Sequence, residues 1–149
     1  MATVRDVAAY ILHECNVMTT MKMQKLTFYS QAESLANRQI PLFTEDFRAW
    51  RNGPVCVELF NLHKGRFLIE PKDLPYREGS LSDEERTVVK RVCESLSKFS
   101  GNQLSDRTHS ESPWKDARGE LRPDEPCAKV IEKSVIQQYY MRHPVVQLT

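Results

Sequence analysis

Apolar residues recur at helical spacing from the start of the chain. Val4, Val7, Ala8, Ile11 and Leu12 fall at i, i+3, i+4, i+7 and i+8 behind Thr3, a residue suited to cap a helix, and Asn16 supplies a stop. A second helix is predicted from just after Thr19 or Thr20 to about Asn37. There Met21, Phe28, Ala32 and Leu35, with Tyr29 and Ala36 one row over, make an apolar face wide enough for a central position. The alternation in "FRAW" predicts a short extended piece, and Gly53-Pro54 a break in which Pro54 takes a first helical position. Val55, Cys56, Leu59, Phe60 and His63 continue as a short helix that stops near Lys64-Gly65, and "RFLIE" is a brief strand closed by Pro71.

The prolines and glycine of "PKDLPYREGS" predict a loop. Ser82 with Glu85 forms a capping box ahead of Val88, Val89, Val92, Cys93, Leu96 and Phe99, and Gly101 is the expected stop. A further helical turn covers "QLSDRTH". Ser112-Pro113 starts a short helix carrying Trp114, Ala117 and Arg118, and "GELRPDEP" separates it from a closing helix capped by Ser134 that ends before Pro144. The period is overwhelmingly 3.6. The expected fold is mainly α, a single compact helical domain of about six helices with at most one or two short strands, spanning residues 1–149.

The second helix carries an oddity. Gln24, Thr27, Gln31 and Ser34 form a row of uncharged hydrogen-bonding groups, and Lys25 lies in line with Met21, Phe28 and Ala32. In one reading Lys25 snorkels from the edge of the core while the amides face water. In the other, the row meets a loop or a partner, which makes Gln24 and Gln31 candidate partner-binding residues.

Charge narrows the function. Lys and Arg total 21 against 20 Asp and Glu, a net charge of +1, so no excess positive field drives binding to a duplex or an anionic membrane. Neither nucleic acid nor membrane is an expected partner. No run approaches the roughly 18 apolar residues of a membrane span. The N-terminal stretch lacks the continuous apolar region of a signal peptide, so the expected location is cytoplasmic.

Catalytic and metal chemistry find no assembled parts. Cys15, Cys56, Cys93 and Cys127 include no C-x-x-C pair, and no cysteine stands at a telling distance from a histidine and an orienting acid. Cys56 and His63 share a helix face with apolar residues, where a small hydrophobe and a satisfied histidine are the ordinary roles. Only five glycines are present and no phosphate-loop motif occurs. No enzyme, metal or cofactor is expected.

What stands out is a set of aromatic and charged groups at helix starts: Trp50 and Arg51 before Pro54, and His109, Glu111, Trp114 and Arg118 around Pro113. Tryptophan and arginine carry much of the binding energy at protein interfaces because each offers a large area with a directional polar end. Both tryptophans could equally cap the domain's own core. Trp50, Arg51, His109, Trp114 and Arg118 are the expected partner-binding residues.

The runs "MKMQKLTFYSQ", "AWRNGPVCVELF", "LSDRTHSESPW" and the closing "KSVIQQYY" together resemble the Panacea domain family, also known as phage-associated GepA-like proteins, over almost the whole chain. The family's helix motif falls on Lys22, Gln24, Lys25, Leu26, Phe28, Tyr29 and Gln31. Its Gly-Pro signature falls on Ala49, Trp50, Gly53, Pro54 and Val55, and a later one on Thr108, His109, Pro113, Trp114 and Ala117. Thr27 and Ser30 stand where relatives tend to be apolar, and Phe60 replaces a frequent tyrosine. The resemblance implies an antitoxin of a bacterial or prophage toxin–antitoxin pair that neutralises its cognate toxin, for example a toxic small alarmone synthetase, by direct contact. It also implies an alternative, an adaptor that delivers the toxin to an AAA+ protease such as ClpXP, as the related SocA does; a remoter reading, of another class, is a small hydrolase that reverses toxin damage. A DNA-binding unit attached in some relatives is not expected in a chain of this length.

Overall fold

The structure is a computed structural model and describes residues 1–147. Helix α1 (Val4–Cys15) is closed at its start by a capping box, in which Thr3 Oγ1 accepts from the Asp6 N–H and the Asp6 carboxylate accepts from the Thr3 N–H. Helix α2 (Thr20–Asn37) follows a two-residue strand β1 (Met18–Thr19). Every residue of α2 from Met23 to Ala36 is buried, so the helix is covered on all sides. Around it pack α1, α4 (Asp83–Leu96), α5 (Gly101–Ser110) and α7 (Lys133–Arg142). A helix enclosed this way has no solvent face for its polar residues, which must find partners inside the protein. Thr27 and Ser30 do so locally, each hydroxyl donating to the carbonyl four residues earlier, at 2.7 and 2.8 Å.

Strands β2 (Phe47–Trp50) and β3 (Gly53–Val55) form a hairpin, with Arg48 opposite Val55, Ala49 opposite Pro54 and Trp50 opposite Gly53. The Gly-Pro break is therefore a strand, and helix α3 (Val57–His63) begins only after Cys56. Proline fits because β3 is the edge of a three-stranded sheet ordered β3-β2-β5, where β5 is Val130–Ile131. Ala49 directs its own N–H away from Pro54, to the Lys129 carbonyl at 2.9 Å, so the donor that proline lacks is not needed. A second small sheet pairs β1 with β4 (Leu68–Ile69). Among the described residues there are seven α-helices, including α6 (Ser112–Arg118), and five strands of two to four residues. The chain is mainly α, with more strands than the sequence pattern indicates.

Three further expectations shift. Gly101 does not end α4; it opens α5 behind a Ser100–Gln103 capping box. A Cβ there would stand 3.1 Å from the Lys22 backbone nitrogen, so glycine lets the start of α5 approach the start of α2. The α6 cap position belongs to Glu111 and not to Ser112, and α7 starts at Lys133, one residue before Ser134.

Gly53 is the glycine that the site depends on. Its φ is +113°, and a Cβ would lie 2.6 Å from Lys25 Cε and 2.9 Å from Thr108 Oγ1. Gly53→Ala is expected to destabilise the domain by roughly 2–3 kcal/mol, through backbone strain and displacement of Lys25, measurable by denaturant unfolding.

A candidate binding pocket over a buried lysine

The β2–β3 turn, the first turns of α2, helix α3 and the segment 126–128 enclose a pocket of about 730 Å³. Met21, Trp50, Val55 and Phe60 give it largely apolar walls. Trp50 meets the Phe60 ring edge-on, with centroids 5.1 Å apart, and Phe60 meets His63 in the same way at 5.4 Å. Arg51 and Asn52 stand exposed at the turn.

Gln24 fixes the polar corner of this pocket. Its Oε1 accepts from the Cys56 N–H at 3.0 Å, and its Nε2 donates to the Cys56 carbonyl at 3.2 Å and to His63 Nε2 at 3.0 Å. The Cys56 N–H decides which way the amide faces, so His63 Nε2 must be an acceptor and the ring is neutral. Burial, the largest cause, lowers the His63 pKa and acts in the same direction. Cys56 and His63 form no nucleophile pair: Gln24 occupies the ring nitrogen, and burial pushes the Cys56 thiol up to about 12. Among the described residues no cluster of three or more His, Cys, Asp or Glu side chains is arranged to hold a metal ion.

Lys25 lines the pocket yet is only 1% exposed. Its Nζ donates to the Pro54 carbonyl at 3.2 Å, a group that β3 turns away from β2. Among the described residues no carboxylate pairs with it. Burial alone lowers its pKa to about 7. The lysine thus does not snorkel to solvent.

The amide row also turns inward. Gln31 donates to the Phe43 carbonyl at 2.9 Å and accepts from the Leu42 N–H at 2.8 Å, and Ser34 donates to the Ile40 carbonyl at 2.7 Å. Gln24 and Gln31, expected at a partner surface, spend their hydrogen bonds on loops of their own chain. Each ties α2 to a loop that local propensity alone would leave free.

In the 109–118 segment Trp114 and Arg118 likewise turn inward. His109 stacks on Trp114 with centroids 4.0 Å apart, and the Trp114 indole N–H donates to the Trp50 carbonyl at 2.7 Å. Arg118, 2% exposed, lies against the Trp114 ring and donates to the carbonyls of Ala49 at 2.9 Å, Arg122 at 2.8 Å and Pro123 at 3.4 Å, and to that of Glu125. Trp114 and Arg118 therefore buttress the β2–β3 hairpin from behind. Pro113 opens α6 at its first turn. Tyr29 has a structural place too: its hydroxyl and that of Tyr140 donate to Glu111 at 2.6 and 2.8 Å, and Arg107 completes the cluster at 3.2 Å. Of the expected partner residues, Arg51 is exposed and Trp50 and His109 are half-buried.

Three exposed apolar residues on α3 and the segment that follows it escaped the sequence pattern: Phe67 at 77%, Leu68 at 53% and Leu62 at 51% exposure. The Phe67 carbonyl accepts from the N–H of Thr20, a pocket-lining residue, at 3.0 Å. Their signal was the unbroken Phe67-Leu68-Ile69 run, since a strand with one buried face needs only every second residue apolar, and here Ile69 alone is buried.

Compared with protein families, residues 23–115 match the family described as antitoxin SocA-like, Panacea domain. The chain belongs to this family. No curated protein and no solved structure matches it. The matched span covers the α2 motif from Gln24 onward, the hairpin and the start of α6, and stops short of the closing "KSVIQQYY". Membership supports an antitoxin role for this Panacea domain in general terms. No helix among the described residues is long and apolar enough to cross a membrane.

Proposed function

We propose that this Panacea domain neutralises its cognate toxin by direct contact, through a face made of Trp50 and Arg51 at the pocket mouth and the neighbouring Leu62, Phe67 and Leu68. The observation that supports this reading is the exposed apolar group itself: Phe67 at 77% and Leu68 at 53% exposure lie on the segment whose Phe67 carbonyl meets Thr20 of the pocket lining, and among the described residues no carboxylate pairs with the exposed Arg51. Large apolar side chains next to an aromatic anchor and an arginine have the composition of an interface centre. Arg51 then pairs with a carboxylate on the toxin, and the apolar strip supplies the area that excludes water. Covering the toxin's active surface requires no bond to be made or broken.

The test is co-expression with the toxic reading frame that neighbours the gene. A stoichiometric complex is expected to co-purify. Arg51→Glu and Phe67→Ser should each weaken it by about 30-fold, roughly the 2 kcal/mol of an interface hot spot, while leaving the melting temperature unchanged. Full rescue by the double variant places the interface elsewhere. Occlusion also predicts that toxin half-life is the same in cells with and without the ClpXP protease, whereas an adaptor would shorten it only when the protease is present.

A further inference from the structure

We propose that the pocket between α2, α3 and the β2–β3 turn is a binding site for a small apolar molecule ending in a carboxylate, with Lys25 as its counter-ion. This goes beyond toxin neutralisation and does not depend on it. The cavity, about 730 Å³, lies within the roughly 300–1,000 Å³ usual for small-molecule sites.

Three features define the occupant. The walls contributed by Met21, Trp50, Val55 and Phe60 are carbon-rich, so the body of the ligand must be apolar. Lys25, 1% exposed, uses a single acceptor among the described residues, the Pro54 carbonyl, although an ammonium offers three donors. A buried cation with neither a carboxylate nor a full set of acceptors is costly, and an anionic head group would satisfy both needs. Arg51 at the mouth adds a second positive group and disfavours cationic ligands. An Asp or Glu side chain brings the charge but only one or two methylenes, too little carbon for the walls. An alkyl or aryl-alkyl carboxylate brings both.

The titratable groups that sense Lys25 are His63 on α3 and His109 on α5, each with its pKa lowered, mainly by burial. Neither supplies negative charge. A bound carboxylate should therefore raise the pKa of Lys25 from about 7, and binding at pH 8 should take up close to one proton.

The experiment titrates the full chain calorimetrically with octanoate, 1-octanol and octylammonium, in two buffers of different ionisation enthalpy at pH 8. Octanoate is expected to bind about tenfold or more tightly than octanol, with proton uptake, and octylammonium more weakly than either. Lys25→Met keeps an unbranched side chain one atom shorter and removes its charge; it should lose the preference for octanoate and the proton uptake while still binding octanol, with circular dichroism confirming the fold. Equal binding of octanoate and octanol by the natural chain, binding of none of the three, or an undiminished octanoate preference in Lys25→Met would overturn the assignment. So would tight binding of an apolar tripeptide with a free C-terminal carboxylate where octanoate fails, since the pocket would then belong to a protein partner. Because only this chain is present, failure here leaves the antitoxin reading intact.

Discussion

Lys25→Met raises the stability of the domain at pH 7 by roughly 2–4 kcal/mol, and the gain shrinks as the pH climbs. Lysine titrates at 10.5 when unperturbed and at about 7 in this site. Between those values the unfolded chain holds a proton that the folded chain has released, so the natural protein becomes more stable as the pH rises from about 7 to 10.5, and below 7 the penalty is full and constant. The shift corresponds to about 4 kcal/mol at pH 7, from which the lost hydrogen bond to Pro54 takes about 1 kcal/mol. Urea melts of both proteins at pH 7 and pH 10 check this. A difference in stability that does not change between the two pH values would mean that Lys25 is not the group responsible. A residue that lowers stability by this much at neutral pH, placed in a pocket wall, is what a binding site requires of its polar anchor.

Arg118→Glu has the opposite effect, a loss of roughly 3–5 kcal/mol that abolishes soluble expression at 37 °C. The guanidinium donates to carbonyls at Ala49, Arg122, Pro123 and Glu125 and so joins β2 to the 122–125 loop. A carboxylate in its place would face those oxygens with no proton to offer. Arg118→Lys should fall between, because one ammonium cannot span two separate chain segments in the way a planar fork does. Thermal melts of the three proteins should rank natural, Lys and Glu in that order. Reversing Arg51, by contrast, should leave the melting temperature alone, so the two arginines that the sequence presents as equivalents separate by assay: one supports the fold and the other, exposed at the turn, does not.

The helices were legible because their signals are local. The Thr3 cap, the Ser82 capping box, the stop at Asn16 and the apolar rows of α1, α2 and α4 all lie within a few residues of the positions they govern. Gly53-Pro54 misled for a related reason. Proline at a helix start and proline on an edge strand look alike in sequence, and only the pairing with Ala49, whose N–H goes to Lys129, selects the strand. The candidate site was legible only in part. Trp50 and Arg51 do stand at the pocket, but Trp114 and Arg118 do not line it.

The sequence by itself determined a mainly α chain with a central second helix, near-neutral charge, and motifs sufficient for the Panacea family. Tertiary structure decided which polar groups are free. Gln24 finds its partner 32 residues away, Arg118 meets Ala49 across 69 residues, and Lys25 meets Pro54 across 29. Whether a glutamine, an arginine or a lysine faces solvent, a carbonyl or a pocket depends on which distant segment the fold brings against it. No periodicity along the chain encodes that.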